Sequence, residues 1–402
     1  MESFCFTICN VAYLPRALAL SHSVYLNDGH KVHIVIFDSK RTLNLKYDFC
    51  EISWLEDYSI KDTLNLAFKY DVVEFSTALR PWFADYFLKR NAKVIYLDPD
   101  MLVYNKLDNI LSELDQNPII ITPHYTNPQN FDQKDSDLSL MRFGAFNFGF
   151  FAVNNSDESF KFLSWLTHRC YHLCYSESQF GLGTDQKWVG IAPCFFPNLS
   201  ISFNLGYNVA YWNTHERVIS NINGVYFVNG EFPLVFFHFS AYDSIEPKNL
   251  SHSPGCNQRN EQRLDLIEIS LNYAKELKKF ELPEEITKEY AYDYFSNGDK
   301  ISPTLRRAYA SIIEELPDNH NPFDANGIVH TFAKKNHLIG NSKKPVSNER
   351  FNDLDNYKTQ FKIVTLFMRL IIRFLGPYRA MNFSRLLVFV SSYRQYRRLW
   401  KL

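Results

Sequence analysis

Residues 93–103 read KVIYLDPDMLV. The first five side chains are almost all apolar or β-rich and do not alternate, the pattern of a strand buried on both faces. Pro99 cannot donate to a sheet ladder and fixes its own backbone angle, so the strand must end in a turn there. That turn carries Asp98 and Asp100, two carboxylates one residue apart at a strand tip, which can converge on one hard cation. Mg²⁺ and Mn²⁺ prefer such oxygen ligands and are commonly shared between protein carboxylates and substrate phosphates.

Working outward, the same texture recurs in FCFTI (4–8), VHIVIF (32–37), PIIIT (118–122) and GFFAV (149–153), with helical patterns between them at 15–28 and 78–90. Strand–helix alternation predicts an α/β chain with a mostly parallel sheet flanked by helices. Asp38 follows the second run as Asp98 follows the third, so carboxylates emerge at the strand ends where open α/β sheets bind ligands. Further on, 159–175 and 184–196 read as helices, and YNVAYW (207–212), VYFV (225–228) and LVFFHFS (234–240) read as strands. A polar loop at 244–260 precedes a helix at 265–280, and 342–356 has a linker's composition. This predicts a sheet domain over 1–245, a helical and loop extension over 246–342, and a linker with a basic tail over 343–402.

The chain has 402 residues, too many for one compact core, with 46% hydrophobic and 22% charged residues, which excludes wholesale disorder. It holds 43 Lys/Arg and 44 Asp/Glu, yet ten of the cations and none of the acids lie beyond residue 356. Within that tail, Ile363, Leu366, Phe367, Leu370, Ile371 and Phe374 share helical spacing, with Lys362, Arg369 and Arg373 on another face. This is the composition of a helix lying on an anionic membrane surface, or of a hairpin packed with a solvated basic face. No base-reading module accompanies it, so nucleic acid is not an expected partner. The seven cysteines are scattered and odd in number, the usage of a reducing compartment. MESFCFTICNVAYL lacks a basic start and a cleavage site, and no apolar run approaches the about 18–20 residues that span a bilayer. A cytoplasmic chain, peripheral on the inner membrane surface, is expected.

KVIYLDPDMLV resembles the D-x-D strand of nucleotide-sugar glycosyltransferases of the GT-A (Rossmann-like) fold, particularly those of family 8. In the expected order, FNFGFFAVN (146–154) resembles that family's F-N-x-G strand, TDQKWV (184–189) its Asp-Gln pair, and FFHFSAYDSIEPK (236–248) its H-x-x-G…K-P segment. LRPWF, TPHYTNP, GLGTDQKWV and GYNVAYWNTHER also look like bacterial glycosyltransferases of cell-surface polysaccharide assembly. The resemblance covers residues 1 to about 245.

It implies that Asp98, Asp100 and His238 bind Mn²⁺ or Mg²⁺. It places Asn10 and Tyr13 against the nucleotide, and Arg80 against phosphate or the D-x-D carboxylates. Asn147 would face the donor sugar, and Asp185 and Gln186 would stabilise the transition state. The implied reaction moves a sugar from a nucleotide donor, a UDP-sugar first, to a surface glycan or lipid-linked acceptor (capsule, lipopolysaccharide or O-antigen). Retention at the anomeric carbon is implied, although an acid acting as base on the opposite face would give inversion. Phe-Ser-Ala follows His238 where the family often has glycine, and no K-P-W triplet follows. A sugar nucleotidyltransferase, or a membrane-docked scaffold with a degenerate domain, are the competing readings. His124 could line the acceptor cleft or sit in a Pro-fixed loop; Trp188, Tyr211, Trp212 and His215 could stack on sugars or pack internally. His168, Cys170, His172 and Cys174 divide between two helix faces and cannot converge on zinc.

Overall fold

Each apolar run around the Asp-Pro-Asp turn forms a strand in the computed structural model, which describes residues 3–43, 45–129, 137–252, 263–287, 289–340 and 358–402. The chain divides into one unit of Met1–Ile60 and Val72–Ala291, and another of Lys61–Asp71 and Tyr292–Leu402.

The first unit is a three-layer α/β arrangement. Its strands are β1 (Ser3–Cys9), β2 (Val32–Ile36), β3 (Cys50–Trp54), β4 (Lys93–Leu97), β5 (Met101–Val103), β6 (Ile119–Pro123), β7 (Phe146–Asn154), β8 (Leu199–Ile201), β9 (Val209–Ala210), β10 (Ile219–Ile222), β11 (Val225–Val228), β12 (Phe232–Pro233) and β13 (Phe236–His238). Seven of them form one sheet in the order β3-β2-β1-β4-β7-β6-β8. All its pairs are parallel except those of β7, which runs antiparallel to β4 and β6. Eight of the nine residues of β7 are buried, as expected for a strand covered on both faces.

Helices fill the crossovers. Leu14–Asp28 has Pro15 in its first turn, and stops at Gly29, whose φ of 76° is a left-handed cap that glycine adopts without strain. Val72–Leu88 carries Arg80 over the sheet. The helix Leu264–Lys278 also belongs to this unit: Ile269 and Tyr273 are fully buried in the same core as Val209 and Phe237, and Tyr273 stacks on Phe239 with ring centroids 3.9 Å apart. The sheet unit therefore continues well past residue 245.

Three sequence expectations are corrected. Residues 184–196 do not make one helix: Thr184–Val189 is helical, and a separate short turn follows at Ala192–Cys194. Gly190 and Pro193 separate the two, the first weakening a helix and the second unable to donate within it. Residues 207–212 are a strand only at Val209–Ala210, because the Asn213 side chain accepts from the Ala210 amide at 2.9 Å and turns the chain into a helical loop. The strand expected over 234–240 is confined to Phe236–His238.

A second sheet, β5-β13-β9, decides the geometry of the Asp-Pro-Asp turn. In β13, His238 lies opposite Met101 of β5 and beside Ala210 of β9. The Phe239 amide donates to the Asp100 carbonyl at 2.8 Å. A histidine from the far end of the unit is thereby set next to the carboxylates.

The other unit packs the helices Thr63–Lys69, Pro303–Ile312 and Ile328–Lys335 around Phe68, Leu305, Tyr309 and Phe332. Its buried cation, Arg306, donates to the carbonyls of Ala67, Phe68 and Tyr70 at 2.9, 3.0 and 2.7 Å, closing the helix end that lacks intrahelical partners. The tail forms Lys358–Val390, interrupted where Gly376 takes non-helical angles ahead of Pro377. The last residues return to this unit's core: Trp400 packs against it, and Asn336 bonds Lys401 on both its amide atoms. The expected linker at 342–356 lies outside the described residues.

Candidate active site

The site is built at the tip of β4. The Asp98 amide still donates to Gly149 on β7 at 2.8 Å, and the Met101 amide closes the turn onto the Asp98 carbonyl at 3.2 Å. Both carboxylates thus come from a backbone held at two points. His238 Nε2 stands 3.1 Å from Asp100 Oδ1 and 3.9 Å from Asp98 Oδ2. One ligand atom from each residue falls within 4.8 Å of the others.

These donors suit a divalent cation. Two carboxylate oxygens and an imidazole nitrogen match Mn²⁺ and remain compatible with Mg²⁺. The space between them is kept by Gly149: a Cβ there would lie 2.6 Å from Asp98 Oδ2 and 2.7 Å from His238 Cε1. Gly149→Ala is expected to displace one of these groups and lower Mn²⁺ affinity by about 10-fold or more, with unchanged circular dichroism. Calorimetric titration checks it, and wild-type affinity in the variant would remove the claim that this gap is the ion's seat.

Arg80 ties the site to the rest of the sheet edge. Its Nη2 lies 2.7 Å from Asp98 Oδ1, and its Nη1 3.4 Å from Asp185 Oδ2. Tyr96 donates to the same Asp98 oxygen at 2.6 Å. Burial pushes the Asp98 carboxyl up, with Arg80 and His238 opposing. Burial acts on Asp100 as well, but His238 beside it outweighs that and leaves the group below its usual range. The two neighbouring acids are thereby pushed apart. Burial disfavours the His238 cation, yet Asp100 and then Asp98 raise its pKa overall. Asp185, fully buried, is pushed up to about 6 by desolvation against the pull of Arg80.

The other expected residues occupy varied places. Asn147 Oδ1 accepts from the Gly149 amide at 3.1 Å, which puts this side chain beside the gap that Asp98 and His238 border. Gln186 clasps backbone at both ends, accepting from the Phe148 amide at 3.3 Å and donating to the Phe143 carbonyl at 2.9 Å. Asn10 caps the turn after β1 by accepting from the Tyr13 amide at 3.1 Å. Tyr13 stays partly exposed with the Arg16 guanidinium 4.5 Å from its ring centre. His124 is half-buried, its pKa pushed down to about 4 by desolvation, and it packs edge-on against Trp212. Trp212 in turn packs edge-on against His238, with centroids 5.2 Å apart. His168 and His172 do share one helix face, their rings tilted by 55° with centroids 4.9 Å apart.

Sequence reading missed Asn208, 1% exposed, whose side chain touches His238, Asn147 and Thr122. A polar residue immediately before the apolar VAYW run was the available signal.

No family model matches the chain. It is similar to two Bacillus subtilis (strain 168) proteins that carry the name uncharacterized protein. YfnF is 24% identical over 249 residues, 60% of this chain and 82% of the relative. YfnD is 23% identical over 265 residues, 62% and 82% respectively. Among solved structures, it is similar to the galactosyltransferase LgtC in complex with donor and acceptor sugar analogs, at 14% identity and a TM-score of 0.39, covering 71% of this chain and 98% of that one. It is also similar to the glycosyltransferase GlyE of Streptococcus pneumoniae TIGR4, at 17% identity and a TM-score of 0.37, covering 70% and 66%. Likeness of this order leaves the function to be argued from the site.

Proposed function

We propose that this chain is a metal-dependent glycosyltransferase of the GT-A kind, moving a sugar from a nucleotide donor to a glycan or lipid-linked acceptor. The observation that carries the reading is the convergence of Asp98, Asp100 and His238 within 4.8 Å at the sheet edge. Ligands of open α/β sheets gather at that edge. A degenerate scaffold has no reason to keep three ligand groups converged around a gap that one methyl group would fill.

Asp98, Asp100 and His238 would hold Mn²⁺ or Mg²⁺, which neutralises a diphosphate and eases its departure. Asn10 and Tyr13, at the end of β1, border the nucleotide side. Asp185 contributes negative charge behind the reacting carbon, held in place by Arg80 rather than free to act as a mobile base. This favours retention, in which the departing diphosphate oxygen accepts the acceptor's proton on the same face. A UDP-sugar donor rests on the resemblance of the four motifs.

Incubating the full chain with a panel of nucleotide sugars and Mn²⁺ or Mg²⁺ tests the reading. Release of nucleoside diphosphate that stops with EDTA is expected from at least one donor. Metal-independent release, or none across the panel, would overturn it.

The tail fits an acceptor reached from a membrane face. No helix among the described residues is long and apolar enough to cross a bilayer. Phe361, Ile363, Phe367, Phe374, Leu386 and Phe389 are all more than half exposed along 358–390, interleaved with cations and no anion. We propose that this segment lies on anionic lipid. Deleting it is a poor test, because Trp400 packs on the core and Arg397 pairs with Glu315. Arg369→Gln with Arg373→Gln should cost about 2 kcal/mol of binding to phosphatidylserine vesicles, roughly 30-fold, at about 1 kcal/mol per cation. Co-sedimentation reads this, and undiminished binding would refute the assignment.

A further inference from the structure

We propose that Asn208 sets the proton position on His238, and with it the direction of the nitrogen lone pair offered to the metal. The inference rests on the metal-site reading above and concerns a residue outside the ligand set.

Asn208 stands immediately before β9 with a φ of 51°, a left-handed conformation that asparagine tolerates better than most residues. Its own carbonyl accepts from Asn213 at 3.0 Å, which helps to hold the turn. The side chain is fully enclosed, with Thr122 Oγ1 and Asn147 Oδ1 each 3.0 Å from Nδ2, and His238 Nδ1 3.3 Å from Oδ1.

The polarity of this chain of contacts follows from one group that can only donate. The Gly149 backbone amide meets the Asn147 side chain at 3.1 Å, so the atom it meets must be the carbonyl oxygen. Two carbonyl oxygens cannot bond to each other, so Asn208 faces Asn147 with its NH₂ group. Its own oxygen is then turned toward His238 Nδ1. That contact is a hydrogen bond only when Nδ1 carries the hydrogen. By holding the ring proton on Nδ1, Asn208 keeps the lone pair of the neutral imidazole on Nε2, which faces the space shared with Asp98 and Asp100. Partners of this kind fix ring orientation and tautomer in metal sites. The same amide also holds Asn147, so one buried asparagine orients a metal ligand and the side chain beside it.

Mn²⁺ titration calorimetry of the full chain tests the inference on two variants. Asn208→Gly removes the side chain while accepting the backbone angle, and should lose about 10- to 100-fold in Mn²⁺ affinity. Asn208→Asp keeps an acceptor for Nδ1–H but loses the donor to Asn147. It should retain most of the Mn²⁺ affinity while KM for the nucleotide sugar rises. A purely structural role would weaken metal binding equally in both variants, and that result, or unchanged affinity in Asn208→Gly, would overturn the proposal. Should Asn208→Gly fail to fold, the ¹⁵N-histidine spectrum of the unmodified protein before Mg²⁺ is added, at a pH where the imidazole is neutral, decides, with the His238 signal assigned by H238Q. A protonated Nδ1 supports the inference and an unprotonated one overturns it. Wild-type protein that binds neither ion would instead remove the metal site itself.

Discussion

Asp100→Asn lowers metal-dependent turnover of the nucleotide sugar by about 10²- to 10³-fold, on the several kcal/mol that a cation supplies to a departing diphosphate. The substitution keeps shape and removes charge. Asp100 is ionised in the native site because His238, 3.1 Å away, more than offsets the cost of burying the carboxylate. An amide offers a neutral oxygen, so the cation loses a full negative ligand and His238 loses its nearest anion. The fold should survive, since the main-chain bond from Phe239 to the Asp100 carbonyl is untouched. Nucleoside diphosphate release at saturating Mn²⁺, beside a thermal melt, checks both parts. Wild-type turnover in a folded variant would end the metal assignment.

Arg80→Met has its largest effect on stability, about 3–5 kcal/mol, the usual result of removing one partner from a buried ion pair. The Arg80 side chain is 12% exposed and serves two acids, Asp98 and the fully buried Asp185. Methionine fills the volume but leaves both carboxylates without their cation. Asp185 already sits at about 6 with Arg80 opposing the rise, and without the arginine it must rise further. Its folded pKa then lies above the unfolded value, so the native state holds the extra proton through the window between them. Stability therefore rises as pH falls from 7 toward 5. Urea midpoints for both proteins at pH 7 and pH 5 measure this. A deficit that does not shrink in acid would show that the arginine acts through packing rather than charge.

Much of the sheet edge is legible in the sequence, and for local reasons. KVIYL announces a doubly buried strand, Pro99 ends it, and two carboxylates flank that proline. The helix over 159–175 declared itself by periodicity, and it does run from Asp157 to Leu173, opened by the Ser156 cap. Where local signals competed, boundaries slipped. The run through 184–196 reads as continuously helical although Gly190 and Pro193 divide it, and the aromatic run at 207–212 reads as a strand although the Asn213 side chain folds it back.

By itself the sequence determined the central strands of the sheet and the helices that open and follow it, where the sheet's C-terminal edge lies, and which acids stand on it, but not the edge strand Cys50–Trp54 or the short helix Thr63–Lys69. These depend on periodicity, proline and burial within a few residues. Only the tertiary structure decided that β13 pairs with β5 and so sets His238 beside Asp100, that Arg80 is held by Asp98 and Asp185, and that Asn208 reaches the back of the imidazole. The same holds for residues 61–71, which join the unit formed by 292–402 through the carbonyls that Arg306 caps. Such choices are settled by register and complementarity between segments far apart in the chain, and neither leaves a mark on the local pattern of apolar and polar residues.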